Sequence, residues 1–351
     1  MSSLQVSLAI AGGLVLAAVV AHGAWKARRD APLLPQPDSR PPVEPTADNT
    51  DETGTDTDRM EPSFDGPLPP LPIATPERRP GLDALIDVIA PIALEGLASG
   101  DAALASMPPT RRAGAKPFAI EGQNDATGQW EFPVAGQRYR AFQAGVQLAN
   151  RTGYLNEIEF SEFVMKAQDF ADAVNGAPDF PDMIEQVARG RELDQFASEH
   201  DAHLQFVLRA RHAAWSPGYV QQHASRLGFV VGLLPGRMVL PADEPGLPPV
   251  LGLTFDSQAA MAEDPEQSAI RSFTLMLEVP QVSRAARPFV RLREAALAMA
   301  AGMDGLVTDD QGAVVGVDAM DVIGADLERL YDTLDSYDLA AGSPQARRLF
   351  S

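Results

Sequence analysis

The sequence predicts an α+β protein: an N-terminal transmembrane helix, a disordered linker, and then an antiparallel sheet of about six strands with three helices on one face, preceded by a possible degenerate second α+β module. Three observations carry this. Residues 4 to 25 form one apolar run with no formal charge, and residues 30 to 80 are dominated by Pro, Asp, Glu, Thr and Ser. Beyond residue 200, short alternating runs are interleaved with stretches whose apolar residues step by three and four. The divisions that follow are 1–29 for the anchor, 30–80 for the linker, 81–200 for an α+β module of unassigned relationship, and 201–351 for the last domain.

The run from Leu4 to Trp25 is long enough for a bilayer core of about 30 Å, which takes roughly 20 helical residues to cross. A cleavable signal peptide would carry positive charge ahead of a shorter apolar core, and no basic side chain precedes Val6. Lys26, Arg28 and Arg29 follow the run at once. Because Lys and Arg favour the cytoplasmic side, the expected topology is a single pass through a membrane. The N-terminus then faces outward and everything after Trp25 is cytoplasmic.

From Asp30 to about Pro80 come Pro35-Gln36-Pro37, Pro41-Pro42 and Asp48-Asn49-Thr50-Asp51-Glu52-Thr53. Such a stretch buries too little apolar area to offset the entropy of ordering, so it is expected to be a disordered tether. As a random coil of about fifty residues it reaches on the order of 40 Å. The chain has 48 acidic and 28 basic residues, a net charge of -20, which argues against nucleic acid as a partner because duplex binding needs Lys and Arg against phosphate. It has no Cys, which excludes disulfides, thiolate metal sites and cysteine nucleophiles.

Within 81–200, Leu85, Ile86, Val88, Ile89 and Ile92 make an apolar element whose type the pattern leaves open. Residues 116 to 121 and 138 to 147 read as strands, the second alternating Tyr139, Ala141 and Gln143 against Arg140, Phe142 and Ala144. Residues 157 to 164 read as an alternating strand that passes into a helix carrying Phe163, Lys166, Phe170, Ala173 and Val174 on one face. A second helix is expected over 180 to 196, with Met183, Val187, Leu193 and Phe196 as its stripe. The stretch 163 to 174 echoes 292 to 303, so a degenerate tandem copy stands beside an unrelated extension.

In the last domain, Leu204, Phe206 and Leu208 alternate as a strand. Ser216 and Pro217 open a helix that Gly228 stops. Residues 229 to 240 read as one strand interrupted at Pro235-Gly236, or as two short strands joined by a turn. Strands follow over 250 to 255 and 272 to 279, then a helix through Phe289, Leu292, Ala296, Met299 and Met303. Residues 305 to 308 and 313 to 317 pair through Asp309-Asp310-Gln311-Gly312, and a final helix carries Met320, Ile323, Leu327, Leu330, Tyr331 and Leu334. The order is β-α-β-β-β-α-β-β-α, with helices amphipathic on one side only.

This order, behind such an anchor and tether, resembles the bacterial cell-division ZipA family, whose C-terminal domain binds the tail of the tubulin-like protein FtsZ. The residues that carry the resemblance are 226 to 232 (Arg-Leu-Gly-Phe-Val-Val-Gly), 273 to 280 (Phe-Thr-Leu-Met-Leu-Glu-Val-Pro), and 300 to 311 from Ala300 through Met303-Asp304-Gly305 to Gln311. With the elements between them they cover about 140 residues of the last domain. The resemblance implies a bacterial inner membrane with the N-terminus periplasmic, and an apolar groove for the FtsZ C-terminal tail on the sheet face left free of helices. Strand by strand, that face is expected to hold Gln205, Val207, Arg209, Leu234, Met238, Thr254 and Met276. The opposite parity, Leu204, Phe206, Leu208, Phe273, Leu275 and Leu277, is expected to face the helices. Gly236, Thr254 and Asp256 stand where large apolar groove residues are expected, which implies a shallower groove or a different peptide.

The chemistry-bearing clusters have ordinary readings. His200 and His203 lie in a polar linker with no third ligand set by spacing, Asp309-Asp310 suits a hairpin tip, and Glu157, Glu159 and Glu162 suit a solvated face. No GxSxG, P-loop, GxGxxG or HExxH occurs. The expected function is therefore that of a membrane-anchored adaptor, with no catalytic residues, metal, cofactor or small-molecule substrate. A structural or regulatory membrane protein with another partner, or an anchored enzyme, are the alternatives.

Overall fold

A computed structural model describes residues 81–262 and 268–351. The predicted anchor and linker lie outside the described residues, and among these no helix is long and apolar enough to cross a membrane. The fold is mixed α+β, with two six-stranded antiparallel sheets and several helices.

The first half contains β1 (Asp87–Ser99), α1 (Gly100–Ala105), β2 (Arg112–Ala113), β3 (Lys116–Asn124), β4 (Trp130–Glu131), β5 (Arg138–Gln147), β6 (Ala149–Asn150), β7 (Gly153–Tyr154), α2 (Glu157–Ala173), β8 (Gly176–Pro178) and α3 (Met183–His200). The sheet order is β2-β3-β5-β1-β8, with β4 on β3. The ambiguous apolar element is thus a long central strand. Val88, Ala90, Ile92, Phe118, Ile120, Phe142, Ala144 and Val146 face Phe160, Phe163, Ala167 and Phe170 of α2 in one buried cluster. A register shift across Ala141 turns Tyr139 inward as well, so the simple alternation of β5 breaks there.

The expected strand over 157 to 164 is instead the first two turns of α2. Asn156 Oδ1 accepts from the Ile158 and Glu159 amides at 3.0 Å, and Glu159 returns a carboxylate oxygen to the Asn156 amide at 3.2 Å. This capping box satisfies donors a helix start leaves free, and it places Glu157 and Glu159 at the positive end of the helix dipole. Both effects outweigh the alternation.

The second half contains β9 (His203–Ala210), α4 (Pro217–Arg226), β10 (Val230–Val231), β11 (Arg237–Leu240), β12 (Leu251–Thr254), α5 (Ser257–Met261), β13 (Ser272–Glu278), α6 (Pro288–Gly302), β14 (Gly305–Thr308), α7 (Val317–Ser336) and α8 (Pro344–Leu349). The sheet order is β10-β11-β12-β13-β9-β14. Residues 229 to 240 are therefore two strands around a turn. Residues 313 to 317 form no strand: Thr308 and Val314 make a lone bridge, and α7 starts at Val317. Phe206, Leu208, Leu253, Phe273 and Leu275 share one core with Val220 of α4, Leu292 and Met299 of α6, and Met320 and Leu334 of α7.

The two sheets share a plan. In each, the first strand (β1 or β9) lies between the penultimate long strand (β5 or β13) and the last (β8 or β14), antiparallel to both. A helix follows the first strand, another joins the penultimate to the last, and a third follows the last. The corner into the last strand repeats in detail. Val174 caps α2, Asn175 is left-handed at φ 54°, and Gly176 opens β8; Met303 caps α6, Asp304 is left-handed at φ 51°, and Gly305 opens β14.

The halves join across a seam with polar and apolar parts. Ile86 and Ala149 of the first half are buried in the core of the second, and Leu193 of α3 packs on both cores. At the seam Arg348 of α8 binds Asp87 through two bonds of 2.5 and 2.9 Å. Gln147 Nε2 donates to the Arg348 carbonyl at 2.8 Å, and Gln345 Nε2 to Asp83 at 2.8 Å. The Asp87 carboxyl is 1% exposed, and burial raises its pKa above the usual carboxylate value despite the guanidinium. The folded state therefore holds the Asp87 proton to higher pH than the unfolded chain. This contribution to stability is complete below about pH 3.8 and is lost as pH rises through the folded-state pKa.

Arg348→Ala, which strands a buried carboxylate, is expected to cost about 3 to 5 kcal/mol at pH 7 by chemical denaturation, and less at pH 4, where Asp87 can take a proton. The paired change Asp87→Leu with Arg348→Leu is expected to be close to neutral.

Candidate functional site

The strand register sorts the second sheet into its two faces. On the helix side, Met238, Leu253, Leu275 and Phe206 lie in one row across β11, β12, β13 and β9. On the other side, Val239, Gly252, Met276 and Gln205 form one row, and Arg237, Thr254, Thr274, Val207 and Thr308 the next. Of the expected groove residues, Gln205, Val207, Arg209, Thr254 and Met276 are thus on the open face. Met238 is not: its side chain is 1% exposed and belongs to the core. The interruption at Pro235-Gly236 is a turn, and counting through it as continuous strand shifts the parity by one residue. Leu234 is also corrected. It sits in that turn, where its carbonyl accepts from the Arg237 amide at 3.1 Å, and it belongs to no strand.

Two of the apparent departures from the expected groove have local causes. Gly236 has φ 75°, and a Cβ there would lie 2.5 Å from the Phe255 carbonyl oxygen, so the turn requires glycine. Asp256 caps α5 by accepting from the Gln258 amide at 2.8 Å. Thr254 does stand on the open face, so only there is the apolar expectation unmet.

The open face holds a shallow depression of ≈ 260 Å³ over β11, β12 and β13. Its floor is Gly252 with Met276 laid beside it, and among the described residues the only atoms within 4 Å of a Cβ built on Gly252 are Met276 Cε at 3.3 Å and Cβ at 3.9 Å. Pro248 and Pro249 form one bank, on the loop entering β12, and Arg237 stands near one end. The other end carries Glu278 and Gln281. Glu278 pairs across the seam with Arg151 of the first half at 3.2 Å, and Gln281 Nε2 donates to the Phe350 carbonyl of its own half at 2.7 Å. Sequence reasoning missed Gly252, Pro248, Pro249, Arg237, Glu278 and Gln281. The Pro-Pro pair ahead of an apolar alternating strand was the available signal; the seam contacts leave none in the local pattern.

A larger hollow of ≈ 460 Å³ lies between α4, the end of β11 and α6, where Asp243 pairs with Arg291 at 3.2 Å. It is framed by helices rather than by the free sheet face. A third, of ≈ 350 Å³ at the seam, includes Asn150, Thr152 and Asp194. Behind it the buried Lys116 donates to Asn150 Oδ1 at 2.8 Å and Thr152 Oγ1 at 3.1 Å, and burial lowers its pKa although Glu159 and Asp194 oppose the shift. Its ammonium ties the hairpin of β6 and β7 to β3. The remaining clusters behave as structure. Asp309 Oδ1 accepts from the Ala313 amide at 2.7 Å across the hairpin tip, the His200 ring stacks on Phe196 at 4.2 Å, and His203 lies 3.3 Å from Asp201. No three potential metal-binding side chains converge among the described residues.

No family model matches the chain, and no curated protein matches it significantly.

The two methionines separate the faces in a stability measurement. Met238→Glu would bury an unpaired carboxylate in the core and is expected to cost about 4 kcal/mol or more. Met276→Glu, on the open side, is expected to stay within about 1 kcal/mol of wild type in the same thermal or denaturant melts.

Proposed function

We propose that this chain is a membrane-anchored cell-division adaptor. Residues 4–25 hold the inner membrane with the N-terminus periplasmic, residues 30–80 act as a cytoplasmic tether, and the sheet of residues 201–351 binds the C-terminal tail of FtsZ. The observation that carries this reading is the depression on the sheet face opposite the helices, floored by Gly252 and Met276 and banked by Pro248 and Pro249. An extended tail offers few fixed polar groups, so its affinity must come from apolar side chains entering a preformed surface. Gly252 leaves that space, and Met276 is an unbranched side chain that can adapt to what enters. Arg237 gives the groove one cation for an acidic residue of the tail. The groove also favours binding over catalysis, because none of the side chains whose protonation is shifted lines it.

The length of the tether sets the local concentration of this surface near the bilayer. Titrating the full-length chain with a peptide copying the FtsZ tail is expected to give saturable binding below millimolar concentration. Gly252→Leu and Met276→Glu are each expected to weaken it about tenfold or more, which is about 1.4 kcal/mol. No saturable binding, or binding unchanged by both substitutions, would reject this partner and this groove.

A further inference from the structure

The first sheet also has a face without helices, and there the chain covers itself. Gly81 and Leu82 lie across it. The Leu82 amide donates to Glu121 Oε1 at 3.0 Å, Glu121 Oε2 accepts from Gln143 Nε2 at 2.8 Å, and the Gly81 carbonyl accepts from Arg348 Nη1 at 3.2 Å. Glu121 is 3% exposed although its strand position points away from the helices.

Gly145, at the centre of this face, has no positive φ, so its backbone does not demand glycine. The three atoms nearest to a Cβ built there all belong to Leu82, within 3.1 Å. The missing side chain is therefore a socket, and Leu82 fills it.

The shared plan of the two sheets shows where this socket lies. Superposing the corners at Gly176 and Gly305, which pair with Leu94 and Ala210, sets the row Ile89, Gly145, Ala119 over the row Gln205, Met276, Gly252. Leu82 therefore occupies, in the first sheet, the position of the groove floor in the second. In the second sheet, Met276 from the sheet itself lies beside Gly252, and among the described residues nothing else comes within 4 Å of a Cβ built there.

We propose that the open face of the first sheet is a second docking site for an extended peptide, with a leucine socket at Gly145 and Glu121 as acceptor for the peptide amide, and that its resident occupant is the chain's own Gly81–Leu82. The site is held closed in cis, beside the Asp87–Arg348 pair. This inference does not depend on the partner proposed for the groove of the second sheet.

The test is hydrogen exchange of the Leu82 amide in the full-length chain, with the β5 amides as an internal check of the fold. The amide is expected to be protected in wild type and to exchange about tenfold faster or more in Gly145→Leu, where the new side chain takes the socket. Gly145→Ala, a smaller intrusion, should move it in the same direction if the leucine variant unfolds. Leu82→Asp should vacate the site and let it bind, in trans, a peptide copying residues 78–86, which wild type and Gly145→Leu should not bind. Equal exchange of Leu82 in wild type and both Gly145 variants would overturn the proposal. So would absence of trans binding by Leu82→Asp with β5 still protected.

Discussion

An antiparallel sheet with its helices on one side has a second face, and each half of this chain deals with that face differently. In the first half the backbone of residues 81–82 crosses it, Leu82 fills the gap left by Gly145, and the carboxylate of Glu121 is buried as an acceptor. In the second half the equivalent row is left open, with Gly252 and Met276 forming the floor of a shallow groove. The same constraint gives one closed surface and one available surface within one body.

The two halves are not independent beads. Asp87 and Arg348 meet with the carboxylate fully buried and the guanidinium partly so, and a pair of this kind costs much to break and adds little net stability. Its geometry holds α8 against β1. Arg151 of the first half reaches Glu278 at the far end of the groove, and Gln281 beside it is bonded to the Phe350 carbonyl. The first half is therefore in contact with one end of the groove over β11 to β13.

The apolar periodicities identified most of the elements. The alternation of Leu204, Phe206 and Leu208 and of Phe273, Leu275 and Leu277 placed the parity of β9 and β13 correctly, because those strands run uninterrupted and one face is uniformly apolar. The echo between 163–174 and 292–303 pointed to the shared plan, whose strongest sign is the left-handed Asn175 and Asp304, each followed by glycine. The failures have physical causes. Glu157 to Val164 alternates like a strand, but a capping box and the helix dipole decide its conformation locally. Met238 was misplaced because a glycine turn reset the parity between β10 and β11. The glycines at 145 and 252 carry no local signal of their place in the faces, because that depends on Leu82 and Met276, which only the three-dimensional register brings beside them.

The central claim is that the open face over β11 to β13 receives a peptide. The most direct measurement is a hydrogen-exchange footprint of the full-length chain with and without the FtsZ tail peptide. The account predicts added protection in β12, in β13 and in the loop at Pro248–Pro249, with the hairpin tip at Asp309–Gly312 unchanged. Saturable binding with no change in β12 and β13, or protection centred on the hollow between α4 and α6, would contradict it.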